Sequence, residues 1–432
     1  MKSPNLKNPN NILLLVFILI GSFLRFYQLG FNSLWLDEAT TWHISLQSLP
    51  NIWQTMVSGE YNPPLFYWME HIILAFGNSE WLLRLIPCVC GILCIPVFYY
   101  IGKEMYGKRA GLICAAFCAF SPFLIYYSQE ARAYVLMLLF VSLGFLFYLR
   151  KNYILFGIFS ALAFWTHFYS AIFIGAIIVF GLLRHRNREF FIGCGVFVIG
   201  ILPILAVLPG LILKRTAGSP TYGASGLNII LLTIYQIFGM DIISFVVISI
   251  LVIVGGIYLV KHRQWLILFI LGVVFSATYF LSYHMPMLPR YLIFLTIIIS
   301  LCIACVEKII KRDWGVYLII GIIVLVSLVG LINYYGTYQK PDWKGFSEGL
   351  NGDVVAVPGY NALPLGYYYK GNISEVTNIS EMVAGGKYYV VTGDIYSADP
   401  NEDVNGWLKD NCVLVKSDVT GQIYLFERVS KI

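Results

Sequence analysis

Charge is scarce in this chain, and its scarcity excludes most protein classes at once. Only 12% of the 432 residues are charged, against 59% hydrophobic; soluble domains carry about a quarter charged residues. That balance defines a polytopic membrane protein. A cleavable signal peptide is also lacking, since Arg25-Phe26-Tyr27 follows the first apolar run where small residues would be needed. Internal repeats and low-complexity segments are absent. The net charge of +6 is no nucleic-acid signature, because the basic residues fall in short loops between apolar runs. Cysteine offers no metal site either. Cys88, Cys90, Cys94, Cys114, Cys118, Cys194, Cys302 and Cys305 lie in apolar segments, and only Cys412 lies in the polar tail. The close spacings at Cys88 and Cys90 and at Cys302 and Cys305 read as small packing residues within helices.

What the chain has in abundance is long apolar runs. They occur at about 11–29, 82–102, 110–127, 133–149, 153–167, 168–183, 190–212, 241–260, 265–283, 289–306 and 314–334, which predicts eleven transmembrane helices. Residues 153–183 are one helix or two. A single helix would span about 45 Å at 1.5 Å per residue, against a hydrocarbon core of roughly 30 Å, so two short passes turning near His167 are expected. Charge supports the pair. Lys2, Lys7, Lys103, Lys108, Arg109, Arg150, Lys151, Arg184, Arg186, Arg188, Lys261, Arg263, Lys308, Lys311 and Arg312 then share one face, whereas Arg25, Arg84, Arg132, Lys214, Arg215 and Arg290 mark the other. The positive-inside rule places the N-terminus in the cytosol and the C-terminal tail outside.

The division expected is a membrane domain over 1–337, with a first outer loop at 30–80, and a small extracytoplasmic α/β domain over 338–432. In the tail, 353–357, 387–391, 413–415 and 423–426 read as strands, and 361–370 and 401–409 as helices. It carries no Gly-rich phosphate loop and no His/Cys metal set. Asn372-Ile-Ser and Asn378-Ile-Ser have the form of glycosylation acceptors, a triplet that chance supplies often.

The informative residues are the few ionisable ones on the outer side. The stretch 30–80 holds adjacent acids Asp37 and Glu38 among aromatics and has no Lys or Arg. An interfacial loop with an aromatic belt would look similar. The other outer charges alter the balance: Arg84 opens the second run, Glu130 and Arg132 with Tyr134 sit at the outer junction of the third and fourth, His167 is at the turn of the fifth and sixth, and His284, Arg290 and Tyr291 enter the tenth. Ionisable groups beside hydrocarbon are costly unless paired or functional. Arg84 also suits a helix-end ion pair with Glu80, four residues earlier. Taken together, the set suits sugar transfer from a lipid phosphate. Planar guanidinium forks hold phosphate, and a carboxylate takes the proton of an acceptor hydroxyl.

At these residues the chain resembles a known group. Leu36-Asp37-Glu38-Ala39, Asn62-Pro63-Pro64-Leu65, Arg84-Leu85, Gly107-Lys108-Arg109-Ala110-Gly111, Ser128-Gln129-Glu130-Ala131-Arg132-Ala133-Tyr134, Pro289-Arg290-Tyr291-Leu292 and Pro341-Asp342-Trp343-Lys344 are similar in order and placement to the GT-C membrane glycosyltransferases. Within that group the branch of protein O-mannosyltransferases and lipid A aminoarabinose transferases is the one resembled, over residues 11 to about 345. The resemblance implies a hexosyl- or pentosyltransferase of the cell envelope. It implies inverting transfer from an undecaprenyl- or dolichyl-phosphate sugar to a lipid, glycan or protein acceptor on the outer face of the plasma membrane. It carries Asp37 over as the catalytic base with Glu38 beside it for acceptor or metal. It makes Arg132, Arg290 and Arg84 donor-phosphate ligands, and leaves Glu130, His167, His284, Tyr134 and Tyr291 as substrate or metal-site candidates. No cofactor is required, although some relatives bind a divalent metal. Lack of the repeat domain found between spans in eukaryotic protein mannosyltransferases favours a prokaryotic enzyme. The competing reading is a multi-span transporter or lipid-linked glycan flippase with an outer sensing domain. Such a protein would place its charges near mid-bilayer, often in paired repeats.

Overall fold

The computed structural model describes residues 9–60, 62–184, 187–216, 222–310, 312–376, 379–382, 388–392, 395, 399 and 401–429. Of the residues invoked above, Lys2, Lys7, Arg186, Lys311, Asn378 and Lys387 lie outside these. In chain order the helices are α1 (Pro9–Phe26), α2 (Leu36–Ser45), α3 (Leu49–Ser58), α4 (Leu65–Leu74), α5 (Glu80–Leu83), α6 (Leu85–Tyr106), α7 (Lys108–Phe120), α8 (Pro122–Ser128), α9 (Tyr134–Leu149), α10 (Tyr153–Thr166), α11 (Ser170–Arg184), α12 (Arg188–Thr216), α13 (Leu227–Ile237), α14 (Ile242–Lys261), α15 (Trp265–Leu281), α16 (Leu295–Ile310), α17 (Asp313–Gly336), α18 (Trp343–Ser347), α19 (Ala362–Tyr368), α20 (Ile379–Met382) and α21 (Asp403–Asn411). The strands are β1 (Val354–Val357), β2 (Ile373–Glu375), β3 (Tyr388–Thr392), β4 (Cys412–Ser417) and β5 (Ile423–Arg428).

The chain forms two compact units. One comprises residues 1–27, 48–72 and 84–334; the other comprises 28–47, 73–83 and 335–432. The loop expected as one stretch at 30–80 is therefore shared between them. It is also mostly helical, holding α2, α3 and α4, whose lengths of ten residues each are too short for a hydropathy window to register.

In the first unit every apolar run of the sequence is helical. Among the described residues, five helices (α1, α6, α12, α14 and α17) are long and apolar enough to cross a membrane alone, and the bent pair α7–α8 makes a sixth. The protein is thus a multi-pass membrane protein. The remaining apolar helices are shorter, so helix length alone does not yield the expected count of eleven crossings. Residues 153–183 form two helices, α10 and α11, separated by a turn at 167–169. The interior is built by α6 packing on α7 and α9, with α16 against α7. Cys94, Cys114, Cys118, Cys302 and Cys305 are buried in that core, and all nine cysteines are free thiols. Ile199 and Leu202 on α12 and Ile250 and Ile257 on α14 are exposed, as side chains facing lipid would be.

Pro122 causes the bend of 55° between α7 and α8. A proline has no N–H to give the carbonyl four residues back, here that of Cys118. The buried Arg25 side chain at the end of α1 supplies the missing donors. Its Nη2 donates to Cys118 O (2.8 Å), its Nη1 to Ala119 O (3.1 Å) and its Nε to Ser128 Oγ (3.1 Å). Gln129 Nε2 in turn donates to the last carbonyls of α1, at Arg25 (2.9 Å), and to Tyr27 O (2.7 Å). Gly91 on α6 makes room for this joint, since a Cβ there would lie 2.2 Å from Ser128 Oγ and 2.7 Å from Arg25 Nε.

The second unit is built on a mixed sheet of order β2-β1-β3-β5-β4. Strands β2, β1 and β3 run parallel; β5 is antiparallel to both β3 and β4. All four residues of β1 are buried, as befits a strand covered on both faces. Val355, Val357, Tyr389 and Val391 pack on one side with Val404 and Leu408 of α21. Val354, Val390, Ile423 and Leu425 pack on the other with Trp343, Phe346 and Leu365.

Candidate active site

In the second unit the acids Asp37 and Glu38 occupy the first turn of α2, where the positive end of the helix favours negative charge. The turn is anchored by residues from the far end of the sequence. Gln339 N–H donates to Asn32 Oδ1 (3.1 Å), Ser33 Oγ to Asp342 Oδ1 (3.1 Å), and Leu34 N–H to Tyr368 Oη (2.7 Å). Trp42 meets Tyr367 edge-on at 5.1 Å. Glu38 is fully buried, and its Oε2 lies 2.9 Å from Lys340 Nζ, whose side chain is 6% exposed. That ammonium also lies 5.9 Å from the ring of Trp35, the residue that caps α2. Asp37 is half-buried. Glu80, on α5, accepts from Tyr368 Oη (3.2 Å) and pairs with Lys344 (3.6 Å).

In the first unit a second group forms around Tyr134, the first residue of α9. The Arg132 guanidinium carbon lies 5.8 Å from the Tyr134 ring and that of Arg290 lies 5.7 Å from it. Arg132 Nε donates to Tyr134 Oη at 3.4 Å. Arg290 also lies 5.8 Å from the Tyr291 ring. Tyr291 stacks on Tyr169 at 4.9 Å and lies 5.1 Å from His167, which is itself 5.7 Å from Tyr134. These side chains arrive from three places in the sequence. The break between α8 and α9 supplies Glu130, Arg132 and Tyr134, the α10–α11 turn supplies His167 and Tyr169, and the turn at Pro289–Leu292 supplies Arg290 and Tyr291. Tyr169 Oη donates to Pro286 O (2.5 Å), fixing the last two segments to each other.

Sequence reading missed several participants. Tyr67, buried on α4, donates to Glu60 Oε1 (2.9 Å), which also accepts from Asn62 Nδ2 (2.5 Å). The phenol lies near enough to Arg132 and Tyr134 to feel their charge. The signal available for it was Asn62-Pro63-Pro64-Leu65 two residues upstream of Tyr67. Lys340 was also missed, although it directly precedes Pro341-Asp342-Trp343-Lys344. Glu130 is buried near Tyr127, whose phenol also lies against Arg290. Arg84 is buried at the N-cap of α6. His284 is exposed in the turn after α15, and among the described residues none of its contacts is with the Tyr134 group.

The fold is similar to that of the GT-C membrane glycosyltransferases. The particular likenesses agree. Residues 61–213 match the family described as dolichyl-phosphate-mannose-protein mannosyltransferase. The chain is similar to ArnT from Cupriavidus metallidurans in the apo state, at 13% identity and a TM-score of 0.65, covering 96% of this chain and 97% of that one. The same enzyme bound to undecaprenyl phosphate gives a TM-score of 0.61, at 13% identity over 96% and 98%. The archaeal oligosaccharyltransferase AglB from Archaeoglobus fulgidus, in complex with an inhibitory peptide and a dolichol-phosphate, gives 0.53 at 12% identity over 100% of this chain and 75% of that one. No curated protein sequence matches the chain.

Proposed function

We propose that this protein transfers a sugar from a polyprenyl-phosphate donor to an acceptor hydroxyl on the outer face of the membrane. The observation that carries the reading is the pair Arg132 and Arg290, both within 6 Å of the Tyr134 ring. Two rigid forks fixed about one point match the several oxygens of a phosphate better than they match a neutral ligand. The undecaprenyl phosphate and dolichol-phosphate bound by structural neighbours support that choice of anion.

In this reaction Asp37 takes the proton of the acceptor hydroxyl as the oxygen attacks the anomeric carbon. The bond from that carbon to the phosphate oxygen breaks on the opposite face, so configuration inverts. The polyprenyl phosphate leaves with its negative charge held by Arg132 and Arg290, with Arg84 adding positive potential. Charge held in this way where it develops is worth most in a site shielded from water. Tyr134, Tyr291 and His167 form the aromatic surround of the phosphate, with Glu130 as a further candidate for contact with the substrate. Among the described residues no three His, Cys, Asp or Glu side chains group as metal ligands.

Replacing Arg132 or Arg290 with Ala tests the reading. Either variant should weaken binding of undecaprenyl phosphate at least tenfold, about 1.4 kcal/mol, with the thermal unfolding midpoint kept. Binding within twofold of the parent for both variants overturns the assignment.

A further inference from the structure

We propose that Lys340 is a positioning residue for the catalytic base, acting through Glu38 on the first turn of α2. The proposal rests on the role given to Asp37 above and deepens it, because it assigns a catalytic duty to the polypeptide that follows the membrane helices.

The contacts that seat residues 31–42 are of two kinds. Most carry charge on one partner at most: the hydrogen bonds at Asn32 and Leu34, that of Ser33 to the Asp342 carboxylate, the Phe31–Tyr338 stack at 5.0 Å and the Trp42–Tyr367 edge contact. They hold the chain before α2 and one face of the helix. The Glu38–Lys340 ion pair, at 2.9 Å, reaches the helical turn that bears Asp37. Asp37 and Glu38 are consecutive residues of one turn, so they leave the helix about 100° apart. Anchoring Glu38 inward therefore sets the direction in which Asp37 points. Ser33 ties the same region to the lysine's neighbourhood again, since its Oγ accepts from Lys344 N–H at 3.0 Å while donating to Asp342.

A buried carboxylate without its cation is strongly unfavourable. On loss of Lys340, Glu38 would take on a proton or turn outward to water, and either movement reorients the turn. Misplacement of a catalytic group by about 1 Å costs on the order of 100-fold in rate. A purely structural staple would show itself differently, as a loss of folded protein with normal turnover in the fraction that remains.

The test uses the full-length protein in detergent. Release of undecaprenyl phosphate from a panel of undecaprenyl-phosphate-linked hexoses and pentoses reports kcat and donor KM, binding of undecaprenyl phosphate itself is measured separately, and thermal unfolding reports folding. Lys340→Met should lower kcat by about 10- to 100-fold, leaving donor KM and undecaprenyl phosphate binding within threefold. Lys340→Arg, which keeps the cation, should recover most of kcat. Glu38→Gln/Lys340→Met, which removes the orphaned charge, should turn over faster than Lys340→Met. Unchanged kcat in Lys340→Met overturns the proposal. So does a loss confined to KM and undecaprenyl phosphate binding, which would make Lys340 a phosphate ligand. If Lys340→Met does not fold, Glu38→Gln decides: a fall in kcat of about tenfold at unchanged donor KM is expected, and parental kcat overturns the proposal. Asp37→Asn is run alongside. Turnover like the parent's in that variant would sink the reading of Asp37 as base, and the positioning role with it; an inactive Asp37→Asn beside a fully active Lys340→Met sinks the positioning role alone.

Discussion

Arginines that look alike in the sequence have different duties in this protein. Arg25 spends its guanidinium on the carbonyls of Cys118 and Ala119 and on Ser128, repairing the helix that Pro122 interrupts. Arg132 and Arg290 lie instead along the Tyr134 ring. The run Ser128-Gln129-Glu130-Ala131-Arg132-Ala133-Tyr134 divides the same way. Its first two residues hold α1 in place, and its later ones build the proposed phosphate site. Asp37 and Glu38 divide too, one half-buried and the other sealed against Lys340. That difference predicts unequal kinetics. Asp37→Asn keeps shape and removes the base, and loss of general-base catalysis typically costs about 10²–10⁴-fold. Turnover should fall by that order with donor binding largely kept, and Glu38→Gln should cost less. Steady-state assays of both variants with thermal unfolding as control would show it; an Asp37→Asn enzyme within about threefold of the parent places the base elsewhere, with Glu130 the next residue to examine.

Among elements, α10 and α12 approach each other closely. A Cβ on Gly157 would lie 2.3 Å from Gly193 O, and one on Gly193 would lie 2.3 Å from Tyr153 O. A turn further along, Gly200 faces Ala161, and Trp165 Nε1 donates to Gly200 O at 2.8 Å. Small residues at such spacing let helix backbones touch where no hydrophobic drive between helices exists in lipid. The same helix α10 ends in the turn that carries His167. Gly157→Ala should therefore lower stability by about 1–3 kcal/mol, the usual cost of overpacking, visible as a reduced unfolding midpoint in detergent. Gly195→Ala, on the same helix α12 but with nothing within 4 Å of its Cβ, should not. Equal midpoints for the two variants would show that the helices yield freely at this contact.

At the scale of the whole molecule, the proposed chemistry requires the second unit and the arginine group to face the outside. The distribution of basic residues makes that a testable expectation. Val419 lies in the turn between β4 and β5 and is 72% exposed, so a cysteine introduced there is available to reagent. Val419→Cys should react with a membrane-impermeant maleimide in intact cells, above the level given by the parent with its native Cys412. Reaction only after lysis would reverse the orientation and remove the basis for an outer-face reaction.

The sequence by itself determined the membrane class and the helical state of each apolar run, because these depend on composition and on local periodicity. The alternation of Val354–Val357 and Tyr388–Thr392 with helices was legible for the same reason. It did not show that Phe31 to Trp42 are seated on Tyr338 to Tyr368, that Lys340 belongs to Glu38, or that Tyr67 joins Glu60 and the Arg132 group. These pairings link residues about 300 apart in the first two cases, and no local pattern encodes a partner at that distance. Nor did it separate Arg25 from Arg132, since both are single cations at the end of an apolar run. Only the tertiary structure decided those duties, because what a buried charge does is set by the groups that replace its water, and folding alone chooses which groups those are.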